Sequence, residues 1–379
     1  MRERLRVGII ANSYDPVFGD RAGGHVHMIQ VAKRWKNFDL VVFAPETARR
    51  VFARDLPGAQ FAALPSCEAI TTNKLAVFLY RSLAWAAASK TLRNCDVLFC
   101  LSQFLPDVVP AVCVKPRRST VVLWHLLEPP WKREGPVLVN YIAYTAERLG
   151  TALVELFFRC VIVGSRLLEK QMRLHGRKRY YITTNGTEHV RPPAVPDNLA
   201  PRRGAVFVGR LHPTKGVEDL IAAWAVAPEL SSHRLTIAGG GSAEYEARLL
   251  RMVAEKGLAD SIVFAGAVSD DVKRSLLETS AVFVFPSKEE GWGIAIAEAM
   301  AFGLPCVTYD LEIFREVFVR GRIGVPVGDV RELGRRVGEL LNDENLRAFH
   351  AAQALQLART FSWDTAARIE EDAVRSLAE

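Results

Sequence analysis

The sequence is poor in features that mark several classes of protein. Its six cysteines (Cys67, Cys95, Cys100, Cys113, Cys160 and Cys306) are scattered, with no CxxC pair. That spacing argues against a disulfide framework or structural zinc site and for reduced, mostly buried thiols in a cytosolic setting. There is no uncharged apolar run of the roughly eighteen residues that would mark a membrane span. The start, MRERLRVGIIANSYD, is basic, but its apolar segment is too short for a signal peptide and reads as a first strand. DxD, HExxH and clustered Cys/His are missing, so no metal site is expected. GxSxG is missing too, which leaves Ser-His-Asp chemistry without support. Solenoid repeats and low-complexity tracts are likewise lacking.

What remains is a chain of 379 residues, 49% hydrophobic and 24% charged, of ordinary soluble composition and too long for a single core. The net charge of +7 is uneven: residues 1–198 carry +12 and residues 199–379 carry −5. The basic half is either a solvated surface or a face for a polyanion such as an anionic membrane or a phosphorylated substrate. Nucleic acid is not expected, because no binding motif accompanies the charge.

Both halves begin with a strand, a glycine-bearing loop and a helix. The first has LRVGIIANSY, then Gly23-Gly24, then HVHMIQVAKRW; the second has AVFVGR, a loop to Gly216, then VEDLIAAWAVA. Strand and helix signals alternate onward, which predicts an α/β protein of two doubly wound, Rossmann-like domains. The expected division is 1–190 for the first domain, a proline-rich linker at 191–203, and 204–360 for the second. A last helix at 361–379 is expected to return to the first domain.

Ligands of such sheets sit at the carboxyl ends of strands. After AVFV comes GRLHPTKG, whose Arg210 and Lys215 suit a diphosphate, although exposed loop cations are also commonplace. After VFVF comes SKEEGWGIAIAEAM, in which Glu290 and Glu298 lie eight positions apart. Gly291, Trp292 and Gly293 let backbone amides approach a ligand, and a helix is expected from Gly293 through Ile294. The two carboxylates either face water or meet a hydroxyl-rich ligand, with Glu298 on a ribose and Glu290 on a second sugar. In the first half, Gly23 and Gly24 form another glycine turn ahead of a helix expected near His25. His125, in VVLWHLLEPPW, ends a strand-like run and reads as either structural or functional.

The order VGRLHPTKGVEDLIAA, LTIAGGG, FPSKEEGWGIAIAEAMAFGLPCVTYD, GVPVGD, FSWDTAA resembles the family-4 (group 1) retaining glycosyltransferases of GT-B architecture. The resemblance covers residues 204–365 well and the first half more loosely, through the GG turn, WH at 124–125, VGSRLLEKQM and TTNGTE. It implies two domains facing each other across a cleft and metal-independent, cofactor-free transfer of a sugar from a nucleotide sugar. Glu290 and the amides around Trp292 and Gly293 would hold that sugar and Glu298 the ribose. Arg210 and Lys215 would neutralise the departing diphosphate. His125 would reach the donor sugar, and Gly23-Gly24 the phosphates. Gly209, Gly239, Gly291 and Ile294 complete the expected donor set. A sugar-nucleotide epimerase, a phosphorolytic enzyme or a non-catalytic binding protein on the same fold are the alternatives.

The acceptor is expected to be a glycan or a lipid-linked molecule, with the protein cytoplasmic or peripheral at the cytoplasmic face of the membrane. Two basic stretches motivate the membrane contact, KLAVFLYRSLAWAAASKTLR (74–93) and RLHGRKR (173–179). The first draws as one amphipathic helix whose Leu79, Leu83 and Trp85 either pack the core or face lipid.

Overall fold

The computed structural model describes residues 4–13, 23–71, 73–127, 129–132, 137–172, 178–188 and 202–379. The chain separates into two compact units. Unit 1 comprises Met1–Asn185 with Trp363–Glu379, and unit 2 comprises Gly186–Ser362. Most of the proline-rich segment expected as a linker, residues 191–201, lies outside the described residues, as does 173–177 of the second basic stretch.

Unit 1 is built on a seven-stranded parallel sheet. Its strands are β1 (Leu5–Ile10), β2 (Phe38–Pro45), β3 (Gln60–Leu64), β4 (Val97–Cys100), β5 (Ser119–Leu123), β6 (Cys160–Val163) and β7 (Arg179–Ile182). They lie in the order β3-β2-β1-β4-β5-β6-β7. Runs such as VLFC, STVVL and CVIV are buried along their whole length, as strands covered on both faces must be. The covering helices are α1 (Gly23–Ala32), α2 (Arg49–Asp55), α3 (Lys74–Leu83), α4 (Ser89–Arg93), α5 (Leu105–Val114), α6 (Val137–Phe157) and α7 (Arg166–Met172).

Unit 2 holds a six-stranded parallel sheet. Its strands are β8 (Ala205–Val208), β9 (Leu235–Ala238), β10 (Ile262–Gly266), β11 (Val282–Phe285), β12 (Cys306–Tyr309) and β13 (Arg322–Val325). The order β10-β9-β8-β11-β12-β13 reverses direction between β8 and β11. At that switch point the connections leave for opposite faces of the sheet and a crevice opens at the strand ends. Helices α8 (Val217–Val226), α9 (Ala243–Glu255), α10 (Asp270–Thr279), α11 (Ile294–Ala301), α12 (Glu312–Val317), α13 (Val330–Asn342) and α14 (Glu344–Ala358) complete the unit.

The last helix, α15 (Trp363–Ala378), belongs to unit 1 and is held there by buried polar contacts. His27 Nε2 lies 2.5 Å from Glu370 Oε1, Thr183 Oγ1 donates to the same oxygen at 2.7 Å, and His27 Nδ1 lies 2.9 Å from Asn185 Oδ1. Trp35 Nε1 donates to the Ala367 carbonyl, and the His27 ring stands edge-on to Trp124 and Trp363. A carboxylate sealed from water persists only with donors of this kind around it.

The stretch 74–93 departs from the single amphipathic helix expected of it. It breaks into α3, a 3₁₀ turn at Ala84–Ala88, and α4. Trp85 packs against the unit 1 core, while Leu79 and Leu83 are exposed.

Candidate active site

Two loops meet at the unit 2 switch point. The loop after β8 runs from Gly209 through a 3₁₀ turn at Pro213–Lys215 to Gly216, and the loop after β11 runs from Pro286 to Gly293. They are tied together by backbone: Lys288 N–H donates to the Thr214 carbonyl at 2.7 Å, and the buried Ser287 hydroxyl donates to the same oxygen at 3.2 Å. Gly216 makes the approach possible. Its φ is +67°, and a Cβ there would fall 2.0 Å from the Pro286 carbonyl oxygen. Only glycine satisfies both the left-handed backbone and the close contact.

The consequence of this clamp is a lysine–carboxylate pair. Lys215 Nζ donates to Glu290 Oε1, reaches the Glu289 carbonyl at 3.4 Å, and lies 5.9 Å above the Phe285 ring. Both side chains are half-buried, so their charges are only partly screened yet open to a ligand. Gly293 caps α11 with a φ of +104°, which turns the chain from the loop directly into the helix as expected. The Trp292 ring is buried edge-on between Phe318 and Phe361, so the aromatic side chain anchors the loop inside unit 2. Gly291 and Ile294 are half-buried on either side of it.

Glu298 is the fifth residue of α11 and is not left unpaired. Lys273 of α10, which the sequence did not single out, donates to Glu298 Oε1 at 2.9 Å and lies 3.4 Å from Asp270. Burial works against the charge on Lys273, but Glu298 and Asp270 outweigh it and hold the ammonium above the ordinary lysine range. The signal for Lys273 was its place on the element after β10, another strand of this sheet. Its pairing across 25 positions of sequence is not visible in any motif.

The remaining expected residues distribute as follows. Arg210 is exposed just beyond β8. The Gly209 N–H donates to the Ala238 carbonyl (3.0 Å) and the Gly239 N–H to the Gly266 carbonyl (2.8 Å), placing both glycines at adjacent strand ends. His125, Gly23 and Gly24 belong to unit 1. His125 is exposed beyond β5, its carbonyl accepting from Gln103 Nε2 at 3.0 Å. Gly23 and Gly24 are the first two residues of α1, which therefore starts two residues before the expected His25. Among the described residues no group of three or more His, Cys, Asp or Glu side chains is gathered as metal ligands would be.

Over 174 residues the chain is 34% identical to a phosphatidyl-myo-inositol mannosyltransferase of Mycobacterium leprae, covering 44% of this chain and 45% of that protein. The chain thus spans less than half the length of that relative in the matched region. Among solved structures, a sucrose-phosphate synthase from Thermosynechococcus elongatus superposes with a TM-score of 0.80 at 17% identity, over 99% of both chains. Anabaena Alr3699/HepE, crystallised with UDP and glucose, gives 0.77 at 18% identity, over 98% of this chain and all of that one. These two likenesses establish the GT-B fold of paired doubly wound units. Residues 199–355, within the second unit, match the model of the family described as Glycosyl transferases group 1.

Proposed function

We propose that the protein transfers a sugar from a nucleoside diphosphate sugar to an acceptor hydroxyl, with retention of configuration and without a bound metal. The observation that carries this reading is the Lys215–Glu290 pair at the unit 2 switch point, beside the glycine-capped start of α11. A fixed ammonium and a helix N-terminus supply the positive potential that a departing diphosphate requires. Arg210, on the same loop, adds a guanidinium suited to bidentate contact with phosphate oxygens. Glu290 accepts from the hydroxyls of the transferred sugar and Glu298 from the ribose, each oriented by its lysine.

In the step itself the bond between the anomeric carbon and the diphosphate oxygen breaks, and a bond to the acceptor oxygen forms on the same face. The acceptor's proton goes to the departing phosphate oxygen, so no enzyme nucleophile is needed. The mannosyltransferase relative acts, by its name, on a phosphatidyl-inositol, which supports a lipid-linked or glycan acceptor in envelope or polysaccharide synthesis.

The test is turnover of UDP- and GDP-sugars by the purified protein, with and without EDTA, alongside Arg210→Ala and Glu290→Ala. Transfer and donor hydrolysis that persist unchanged in both variants would overturn the site. An epimerised donor with no glycosylated product would overturn the reaction, and loss of turnover in EDTA would overturn metal independence.

A further inference from the structure

Helix α6 is amphipathic in the wrong sense for a helix that merely covers a sheet. Such a helix buries its apolar stripe and shows polar residues to water. The residues α6 buries are Asn140, Glu147, Gly150, Thr151 and Val154. Glu147 is fully enclosed and fastens the helix by accepting from Gln103 Nε2 at 2.8 Å and from the Leu127 N–H at 2.9 Å. The opposite face carries Leu138, Ile142, Leu149 and Leu156, spaced four, seven and seven, with Leu138 and Leu156 about three-quarters exposed. This is one continuous stripe along a helix of 21 residues, roughly 30 Å long.

The stripe has company. Trp131 just before the helix and Tyr141 on it are exposed, and α5 packs against both α6 and α3. Helix α3 leaves its own stripe of Leu75, Leu79 and Leu83 in water. Of the large apolar side chains left exposed among the described residues, fourteen are in unit 1 and seven in unit 2. A protein surface in water rarely leaves apolar stripes of this length without an occupant.

Charge selects the occupant. Between Glu68 and Asp96 the chain has no acidic residue, while Lys90 and Arg93 are exposed there. Arg148 is exposed on α6 and Arg159 just beyond its end. A second copy of the chain would set these cations against their own kind across a symmetric interface. An anionic lipid surface attracts them, accepts the leucines below its headgroups and suits indole and phenol rings at its boundary.

We infer that α6 and α3 together dock unit 1 on the surface of an anionic membrane, with α6 lying in the plane of the interface. This goes beyond the donor chemistry and does not depend on it. The experiment is flotation of the full-length protein with vesicles of phosphatidylcholine alone and of equimolar phosphatidylcholine and phosphatidylglycerol. The wild type is expected on the mixed vesicles only, and less so at high salt. The triple variant Leu138→Gln, Leu149→Gln, Leu156→Gln should lose about tenfold in partitioning with its melting temperature and UDP or GDP binding unchanged. Lys90→Glu with Arg93→Glu should weaken partitioning without touching the stripe. No binding by the wild type, equal binding to both vesicles, or binding indifferent to both variants would overturn the inference. So would a wild-type dimer that the triple variant dissociates, since the face would then belong to a second copy. Nucleotide binding, followed in the same samples, reports separately on the donor site.

Discussion

The two sheets share a strand order through their sixth strand, but their switch points are furnished differently. In unit 2, the loops after β8 and β11 present a half-buried lysine and glutamate. In unit 1, the first residues after β1 are fastened to the segment after β4 through Asp107. This carboxylate is wholly buried and accepts from the Ser13 N–H (2.8 Å), the Ser13 hydroxyl (2.6 Å) and the Ser102 hydroxyl (2.5 Å). Beside it Asn12 Nδ2 donates to the Arg81 and Pro106 carbonyls. One topology thus serves two ends: an open charged pocket in one unit, an internal fastening in the other. What separates them is whether the charge keeps access to solvent.

The largest effect that would break this comparison concerns the open switch point. Lys215→Ala and Glu290→Ala should each lower transfer by about 10²–10³-fold, measured as steady-state turnover, while leaving unit 1 untouched. Wild-type turnover in both would mean that the charged pocket of unit 2 is as structural as its counterpart. Next comes the clamp between its loops. Gly216→Ala places a methyl on the Pro286 carbonyl at a positive φ and should destabilise unit 2 by about 2–4 kcal/mol. An unaltered melting curve would show that the two loops are not held together as described.

The closed switch point makes a prediction about pH. Burial raises the Asp107 carboxyl to about 6 against the serine hydrogen bonds that oppose the shift. A carboxyl raised on folding binds its proton more tightly in the native state. Its stabilisation is complete below the unfolded value near 4 and is lost as pH rises through about 6. Asp107→Asn should therefore remove about 2–3 kcal/mol of the wild type's pH-dependent stability between those limits. Urea midpoints of the two proteins at pH 4 and pH 7 measure it, and an unchanged pH dependence in the variant would refute it. A smaller effect is expected of Lys273→Met, which frees Glu298 and should weaken nucleotide binding by about five- to tenfold in titration calorimetry. Smallest of all, Arg336→Ala in the exposed cluster with Glu332 and Glu339 should change stability by no more than about 0.5 kcal/mol.

Much of unit 2 was legible because its information is local. AVFV and VFVF read as buried strands from composition alone, and the glycines bracketing Trp292 announced the turn into α11. Less of unit 1 could be read, for reasons that are physical. The apolar residues of α6 look like core in sequence, and nothing local says that Glu147 and Asn140 take the inside instead. In α3, Leu79 and Leu83 could have packed inward, and the break at Ala84–Ala88 decides otherwise. The pairings that fix the sites are also long-range. Lys273 finds Glu298 across 25 positions, and His27 finds Glu370 across 343. The resemblance to group 1 glycosyltransferases, carried mostly by residues 204–365, was strongest where the local signals were strongest.

The return of α15 to unit 1 has a consequence for synthesis. Unit 2 is an insertion between two parts of unit 1, so the ribosome releases every residue of unit 2 before the helix that closes unit 1. His27 is made well before its buried partner Glu370, which arrives only after 342 intervening residues. Until then His27 has no carboxylate beside it, and the contacts of unit 1 with Trp363 and Ala367 are unmade. The unit that is translated first is finished last, and the nascent chain spends most of its growth with its basic, apolar half incomplete.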